Sequence, residues 1–150
     1  MDAEHSMPVI TDCAKDTLRG KRVIVRVGFD VPIVGGVVTN NFRIKEALPT
    51  IKYLSDVGAR VILISHVGRD SENSLSPVAE ALSVFIPTQF VRDIVGVDAR
   101  TAIDALEEGG VLMLENLRSD AREVANDAEF ARELSSLGDI FVDEAFSVAH

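Results

Sequence analysis

The chain has 150 residues, of which 47% are hydrophobic and 26% are charged. This length is enough for one α/β or all-α domain with a hydrophobic core, and too short for two domains of ordinary size. Lys and Arg number 15 against 24 Asp and Glu, giving a formal charge of −9, which opposes binding to nucleic acid or to an anionic membrane surface. No apolar run approaches the length of a membrane span and the N-terminus lacks a signal sequence, so we expect a cytoplasmic protein.

The first residues, the single cysteine and the histidines do not indicate a catalytic or metal site. Because Met7 is a second plausible start, we interpret residues 1–11 as a leader, with residues 1–6 read as partly non-native. The single cysteine, Cys13, has no partner for an internal disulfide and no evident base, so we expect it to be inert. The histidines lie at the distant positions 5, 66 and 150, a spacing unlike that of a zinc site, and we predict no bound metal.

Five short runs of mainly β-branched and apolar residues predict strands. Most of these runs are apolar throughout, which is typical of a parallel sheet covered on both faces rather than of a half-exposed antiparallel one. The Gly35-Gly36 pair, flanked by valine and isoleucine, predicts a small hairpin turn after the first strand. In chain order, the predicted strands are 22–27, 60–64, 88–91, 111–114 and 139–142.

Apolar residues at helical spacing between Ile44 and Leu54 predict the first helix. Gly58 follows at the position of a C-terminal cap. Pro49 lies inside the pattern, where it removes a backbone hydrogen bond, so the helix is expected to bend there or to begin late.

Three further helices are predicted, and they alternate with the strands. The second begins with Ser76 as its N-cap and Pro77 in the first helical position. The third spans about 98–107, and the fourth begins near Asp127. Repeated strand–helix–strand units predict an α/β fold, a three-layer Rossmann-like open parallel sheet with helices on both faces. Ligands of such sheets bind beyond the carboxyl ends of the strands.

Basic residues cluster where that binding edge is expected. His66 and Arg69 follow the second strand, Arg118 follows the fourth, and Arg43 lies at the entry to the first helix. Each of these side chains alone is more often an ordinary ion-paired or hydrogen-bonded group, but their coincidence in an acidic protein indicates a site for a small anion. No dinucleotide, P-loop or serine-nucleophile motif is present.

Six blocks of this sequence, in the same order, resemble the N-terminal domain of phosphoglycerate kinase. They cover nearly the whole chain from about residue 12, and we identify residues 12–150 as that substrate-binding domain, without the family's C-terminal nucleotide-binding domain. The proline at position 49 also lies where the family carries one in its first helix. The blocks are 22–32, 41–54, 65–69, 74–79, 114–118 and 143–150.

This resemblance implies a transferase of glycolysis that moves a phosphoryl group between 1,3-bisphosphoglycerate and ADP. In the family, the N-terminal domain binds 3-phosphoglycerate on a basic patch. The second domain binds ATP or ADP with Mg²⁺, and closure of a hinge brings the two domains together. The chain is therefore expected to bind 3-phosphoglycerate or a similar small phosphorylated acid, to hold no cofactor of its own, and to be inactive alone.

The resemblance also implies a role for each basic residue. Arg43 would contact the anionic groups of the substrate and, as the catalytic residue, stabilise charge on the transferring phosphoryl group. His66 and Arg69 would bind the phosphate or carboxylate side, and Arg118 would hold the phosphate. The complete implied substrate-binding set is Gly28, Phe29, Asp30, Arg43, His66, Val67, Gly68, Arg69 and Arg118.

The first loop departs from the family pattern, which reads Asp-Phe-Asn where this chain has Gly28-Phe29-Asp30. Positions 28 and 30 project to the same side if the strand continues. Asp30 then either replaces the lost acid or repels the substrate carboxylate, and altered substrate handling is a further alternative. Other departures lie at Asp70, Ser119, Asp143–Glu144 and Ser147–Val148.

Two rival interpretations follow from these departures. One is a non-catalytic anion-binding or interaction domain, in which the arginines form a generic phosphate site. The other is a structural fragment without ligand affinity: in the family the last segment of the full chain packs on this domain, so its absence would expose apolar surface and favour weak self-association.

Overall fold

The structure, a computed structural model, describes residues 15–29, 31–65, 74–117, 120 and 128–144. The predicted leader, residues 1–11, lies outside these ranges. The strands are β1 (Arg22–Arg26), β2 (Ile33–Val34), β3 (Val37–Val38), β4 (Arg60–Ile64), β5 (Gln89–Phe90), β6 (Val111–Met113) and β7 (Ile140–Asp143). The helices are α1 (Lys15–Leu18), α2 (Phe42–Asp56), α3 (Ser76–Ser83), α4 (Val97–Ala105) and α5 (Ala128–Ser135).

Five of the strands form one parallel sheet, in the order β5-β6-β4-β1-β7. The five strands predicted from the sequence are these five, so the parallel sheet is confirmed. β2 and β3 form a separate antiparallel hairpin. Gly35 and Gly36 connect them with φ angles of 60° and 79°, and two successive positive φ values are what a two-residue type I′ turn requires.

Alternate residues of the three central strands, β1, β4 and β6, pack into two different cores, one on each face. On β1, Val23 and Val25 belong to the core that includes the buried residues of α2 and α3, whereas Ile24 belongs to the core of α4 and α5. The same alternation holds on β4, where Val61 and Leu63 face the first core. Helices therefore cover both faces of the sheet, and the predicted three-layer Rossmann-like architecture is confirmed.

Helix α2 runs without interruption through Pro49. The predicted late start is wrong, because the helix begins at Phe42, two residues before its first buried side chain, Ile44. The predicted cap at Gly58 is confirmed: its φ is 88°, in the left-handed region, and its N–H donates to the carbonyl oxygen of Ser55 at 3.1 Å.

The start of α3 differs from the sequence prediction by one residue. Ser76 is the first helical residue, and the N-cap is Leu75, whose side chain makes no capping bond. The Ser74 hydroxyl accepts a hydrogen bond from the N–H of Ser76 at 3.1 Å, and a carboxylate oxygen of Glu115 accepts one from the N–H of Leu75 at 2.8 Å. The free N–H groups at this helix terminus are thus satisfied largely from outside the helix.

The remaining predicted helices are confirmed with small shifts of their ends. For α4, a carboxylate oxygen of Asp93 accepts a hydrogen bond from the N–H of Ala99 at 2.9 Å, which places a negative charge at the positive end of the helix dipole. In α5, Phe130 and Leu134 are the buried residues. In the ranges described above, no helix is long and apolar enough to cross a membrane.

Candidate functional site at the carboxyl edge of the sheet

The parallel arrangement brings the ends of β1, β4, β6 and β7 to one side of the sheet. We call the described residues that directly follow these strands the carboxyl edge: 27–29, 65, 114–117 and 144. Because ligands of open α/β sheets bind beyond this side, the carboxyl edge is the candidate site.

Ser65, directly after β4, connects three segments of the carboxyl edge. Its hydroxyl donates to the carbonyl oxygen of Val27 at 2.7 Å and accepts from the N–H of Phe29 at 3.0 Å. Its own carbonyl oxygen accepts from the N–H of Leu117 at 3.0 Å. Only 2% of Ser65 is exposed to solvent. One buried residue therefore holds the segments after β1 and β6 to the end of β4.

Glu115, after β6, is a buried carboxylate surrounded by donors. One of its oxygens accepts from the N–H groups of Leu75 at 2.8 Å and of Asn116 at 2.7 Å. The other accepts from the Ser74 hydroxyl at 2.9 Å and lies 3.7 Å from a guanidinium nitrogen of Arg92. Glu115 is 7% exposed, and these bonds offset the cost of burying its charge. It fixes the end of β6 to the start of α3.

Arg43 lies in the first turn of α2, above the carboxyl edge. Further along α2, the hydroxyl of Thr50 donates to a carboxylate oxygen of Glu144, directly after β7, at 2.8 Å. Arg43 precedes Thr50 by two helical turns, so it lies on the same helix face and about 10 Å nearer the N-terminus. Its side chain is exposed, with no hydrogen bond or ion pair to the described residues. The guanidinium is therefore available to an anion that binds beyond this side of the sheet.

Gly28 and Phe29 of the predicted substrate-binding set also lie at the carboxyl edge. Phe29 has its side chain fully buried in the core beneath α2, so only its backbone is available to a ligand. Gly28 is partly exposed and lies between the two residues bonded to the Ser65 hydroxyl. Six members of the predicted set lie outside the described residues: Asp30, His66, Val67, Gly68, Arg69 and Arg118.

The sequence prediction gave no role to Ser65 or Glu115. The sequence does mark both positions, because each residue is polar and directly follows an apolar strand. Ser65 follows Arg60–Ile64, and Glu115 follows residues 111–114. A polar side chain in such a position is buried at the sheet edge and must find partners there. Its partners come from other strands, so the spacing alone does not identify them.

Among the described residues, no group of three His, Cys, Asp or Glu side chains is arranged to hold a metal ion. The acidic residues at the carboxyl edge are engaged otherwise: Glu115 binds backbone N–H groups, and Glu144 accepts from Thr50. In the part of the chain seen in the structure, the carboxylates of Glu115 and Glu144 are therefore already hydrogen-bonded.

Comparison with known proteins gives a consistent family. The sequence pattern of the family described as phosphoglycerate kinase matches residues 10–150. The chain is similar to the phosphoglycerate kinase of Dictyoglomus turgidum, with 48% identity over 147 residues, covering 94% of this chain and 37% of that protein. It is similar to the phosphoglycerate kinase of a Caulobacter species, with 49% identity over 140 residues, covering 89% of this chain and 35% of that protein.

Solved structures give the same result for the fold. The crystal structure of phosphoglycerate kinase from Pyrococcus horikoshii superposes with a TM-score of 0.79 and 32% identity, covering 89% of this chain and 36% of that one. This chain thus spans about a third of the length of the proteins it matches. From its sequence and its fold, the chain belongs to the phosphoglycerate kinase family.

Proposed function

We propose that this chain is the substrate-binding half of a divergent phosphoglycerate kinase and binds 3-phosphoglycerate at the carboxyl edge. The full-length protein would transfer a phosphoryl group between 1,3-bisphosphoglycerate and ADP. Family membership supports this proposal, and the observation that carries it is Arg43, an exposed cation above the ends of the strands. In a chain of net charge −9, such a placement favours a small anion.

Phosphoryl transfer depends mainly on positioning and on stabilising negative charge. We propose that Arg43 contributes the second of these, because its guanidinium is free to approach the transferring group. The nucleotide and its Mg²⁺ are assigned to the part of the full-length protein that this chain does not span. The chain alone would then bind substrate without turnover.

Gly28 favours the rival interpretation, a generic anion site in a non-catalytic domain. It removes the carboxylate that the family carries at this position, at the centre of the loop held by Ser65. Arg43 makes no bond to the described residues of this loop, so a generic site built on it would bind phosphate groups without selecting the rest of the ligand. Ligand selectivity therefore separates the two functions.

Calorimetric titration of the chain with 3-phosphoglycerate, inorganic phosphate and ATP tests the proposal. We expect saturable binding of 3-phosphoglycerate that is at least about tenfold tighter than that of phosphate, with no binding of ATP, since two anionic ends of one ligand add their contacts. Raising the salt concentration should weaken this binding through screening. Equal affinity for every phosphate compound supports the generic site, and absence of binding contradicts both functions.

A further inference from the structure

We propose that Ser65 is a positioning residue that sets the preference of the carboxyl edge for 3-phosphoglycerate over simple phosphate. This inference rests on the proposed function and deepens it. Neither the family pattern nor the basic cluster assigns a role to this serine. Its hydroxyl lies at the point where the segments after β1, β4 and β6 meet.

The Ser65 hydroxyl bonds the β1 segment directly after the last backbone hydrogen bond between β1 and β4. The N–H of Val27 still donates to the carbonyl oxygen of Ile64 at 3.0 Å, as in the parallel sheet. Beyond this point the hydroxyl bonds both the Val27 carbonyl and the Phe29 N–H. Gly28, which has no side chain to fix its conformation, is thereby held from both sides.

Phe29 makes this arrangement rigid. Its ring is fully buried in the core under α2, and its carbonyl oxygen accepts from the N–H of Val31 at 2.9 Å. The ring is buried in the core and the two peptide groups that flank Gly28 are both bonded to Ser65, so the orientation of these peptides is restrained. A preset backbone orientation lowers the entropic cost of binding a ligand that contacts it.

Among the described residues, the basic side chain on this side of the sheet is Arg43, and it is not bonded to the same hydroxyl. Arg43 is carried by α2, and Leu117 is held by the backbone carbonyl of Ser65, not by its side chain. Loss of the hydroxyl should therefore disturb the part of the ligand that contacts the Gly28 loop and leave binding of a lone phosphate group unchanged. This difference distinguishes a positioning role from a purely structural one.

The test compares Ser65→Ala with two other variants of the 150-residue chain. Ser55→Ala is the matched control, because it also removes a hydroxyl that bonds a backbone carbonyl, that of Gly109 at 2.6 Å, but at the opposite edge of the sheet. Ser65→Thr retains a hydroxyl. For each variant, calorimetry gives the ratio of affinities for 3-phosphoglycerate and inorganic phosphate, and hydrogen exchange gives the protection of the Phe29 amide.

We expect Ser65→Ala to lower the affinity ratio about tenfold and to increase exchange of the Phe29 amide. Ser55→Ala should retain the ratio of the unmodified chain, and Ser65→Thr should restore it. An unchanged ratio in Ser65→Ala, or an equal loss of both affinities, overturns the inference while the proposed function stands. If the unmodified chain shows no preference for 3-phosphoglycerate, the proposed function fails and the inference fails with it.

Discussion

Replacing Glu115 with alanine is expected to lower the free energy of unfolding by about 3 kcal/mol. The substitution removes the acceptor for the N–H groups of Leu75 and Asn116, both of which are fully buried. Each buried donor left without a partner costs about 1 to 3 kcal/mol. Because domains of this size are stabilised by only about 5 to 15 kcal/mol in total, the loss is large.

Two further variants separate the loss of the buried acceptor from the loss of a negative charge. Glu115→Gln keeps one oxygen acceptor for the backbone N–H groups, and its amide can donate to the Ser74 hydroxyl, so we expect less than half of the loss. Glu80→Ala removes an equal charge from an exposed position of α3 and should change stability by less than about 0.5 kcal/mol. Urea unfolding followed by circular dichroism measures all three. Similar midpoints for Glu115→Ala and Glu80→Ala would show that the carboxylate does not stabilise the helix start.

Replacing Arg43 with alanine is expected to weaken binding of 3-phosphoglycerate by about thirtyfold. Hydrogen bonds from a charged donor contribute about 1.5 to 3 kcal/mol, which corresponds to a change in affinity of about one to two orders of magnitude. The side chain is exposed and makes no bond to the described part of the protein. Its removal should therefore leave the free energy of unfolding unchanged.

The matched control is Lys52→Ala, which removes one positive charge from another exposed position of α2. Arg43→Lys is expected to recover only part of the affinity, because an ammonium group does not form the paired hydrogen bonds of a guanidinium. Calorimetry at two salt concentrations measures each variant. Equal losses for Lys52→Ala and Arg43→Ala would mean that net charge, and not the position of Arg43, determines affinity.

The layered fold is predictable because its signals are local. Apolar strands and helical spacing give the sheet and the position of each helix, and the Gly35-Gly36 pair gives the hairpin. The start of α2 is less predictable, since Phe42 is 63% exposed and lies outside the buried pattern that begins at Ile44. Helix ends defined by exposed residues have no apolar periodicity to mark them.

The contacts that Ser65 and Glu115 make at the candidate site are not predictable from local sequence patterns. Ser76 has the character of an N-cap, yet the carboxylate at the start of α3 comes from Glu115, 40 residues away from Leu75 along the chain. Ser65 likewise bonds Phe29 across a separation of 36 residues. These contacts exist only once the parallel sheet has placed its strand ends side by side, so they follow from the tertiary fold.

The location of the anion site is tested most directly by titrating the ¹⁵N-labelled chain with 3-phosphoglycerate and following each backbone amide by nuclear magnetic resonance. We predict that the amide resonances of Gly28, Phe29 and Leu117 shift along one saturation curve. The resonances of Gly58 and Gly109, at the opposite edge of the sheet, should not shift. Shifts confined to the opposite edge, or no saturable shift at the carboxyl edge, would contradict the assignment of this edge as the substrate site.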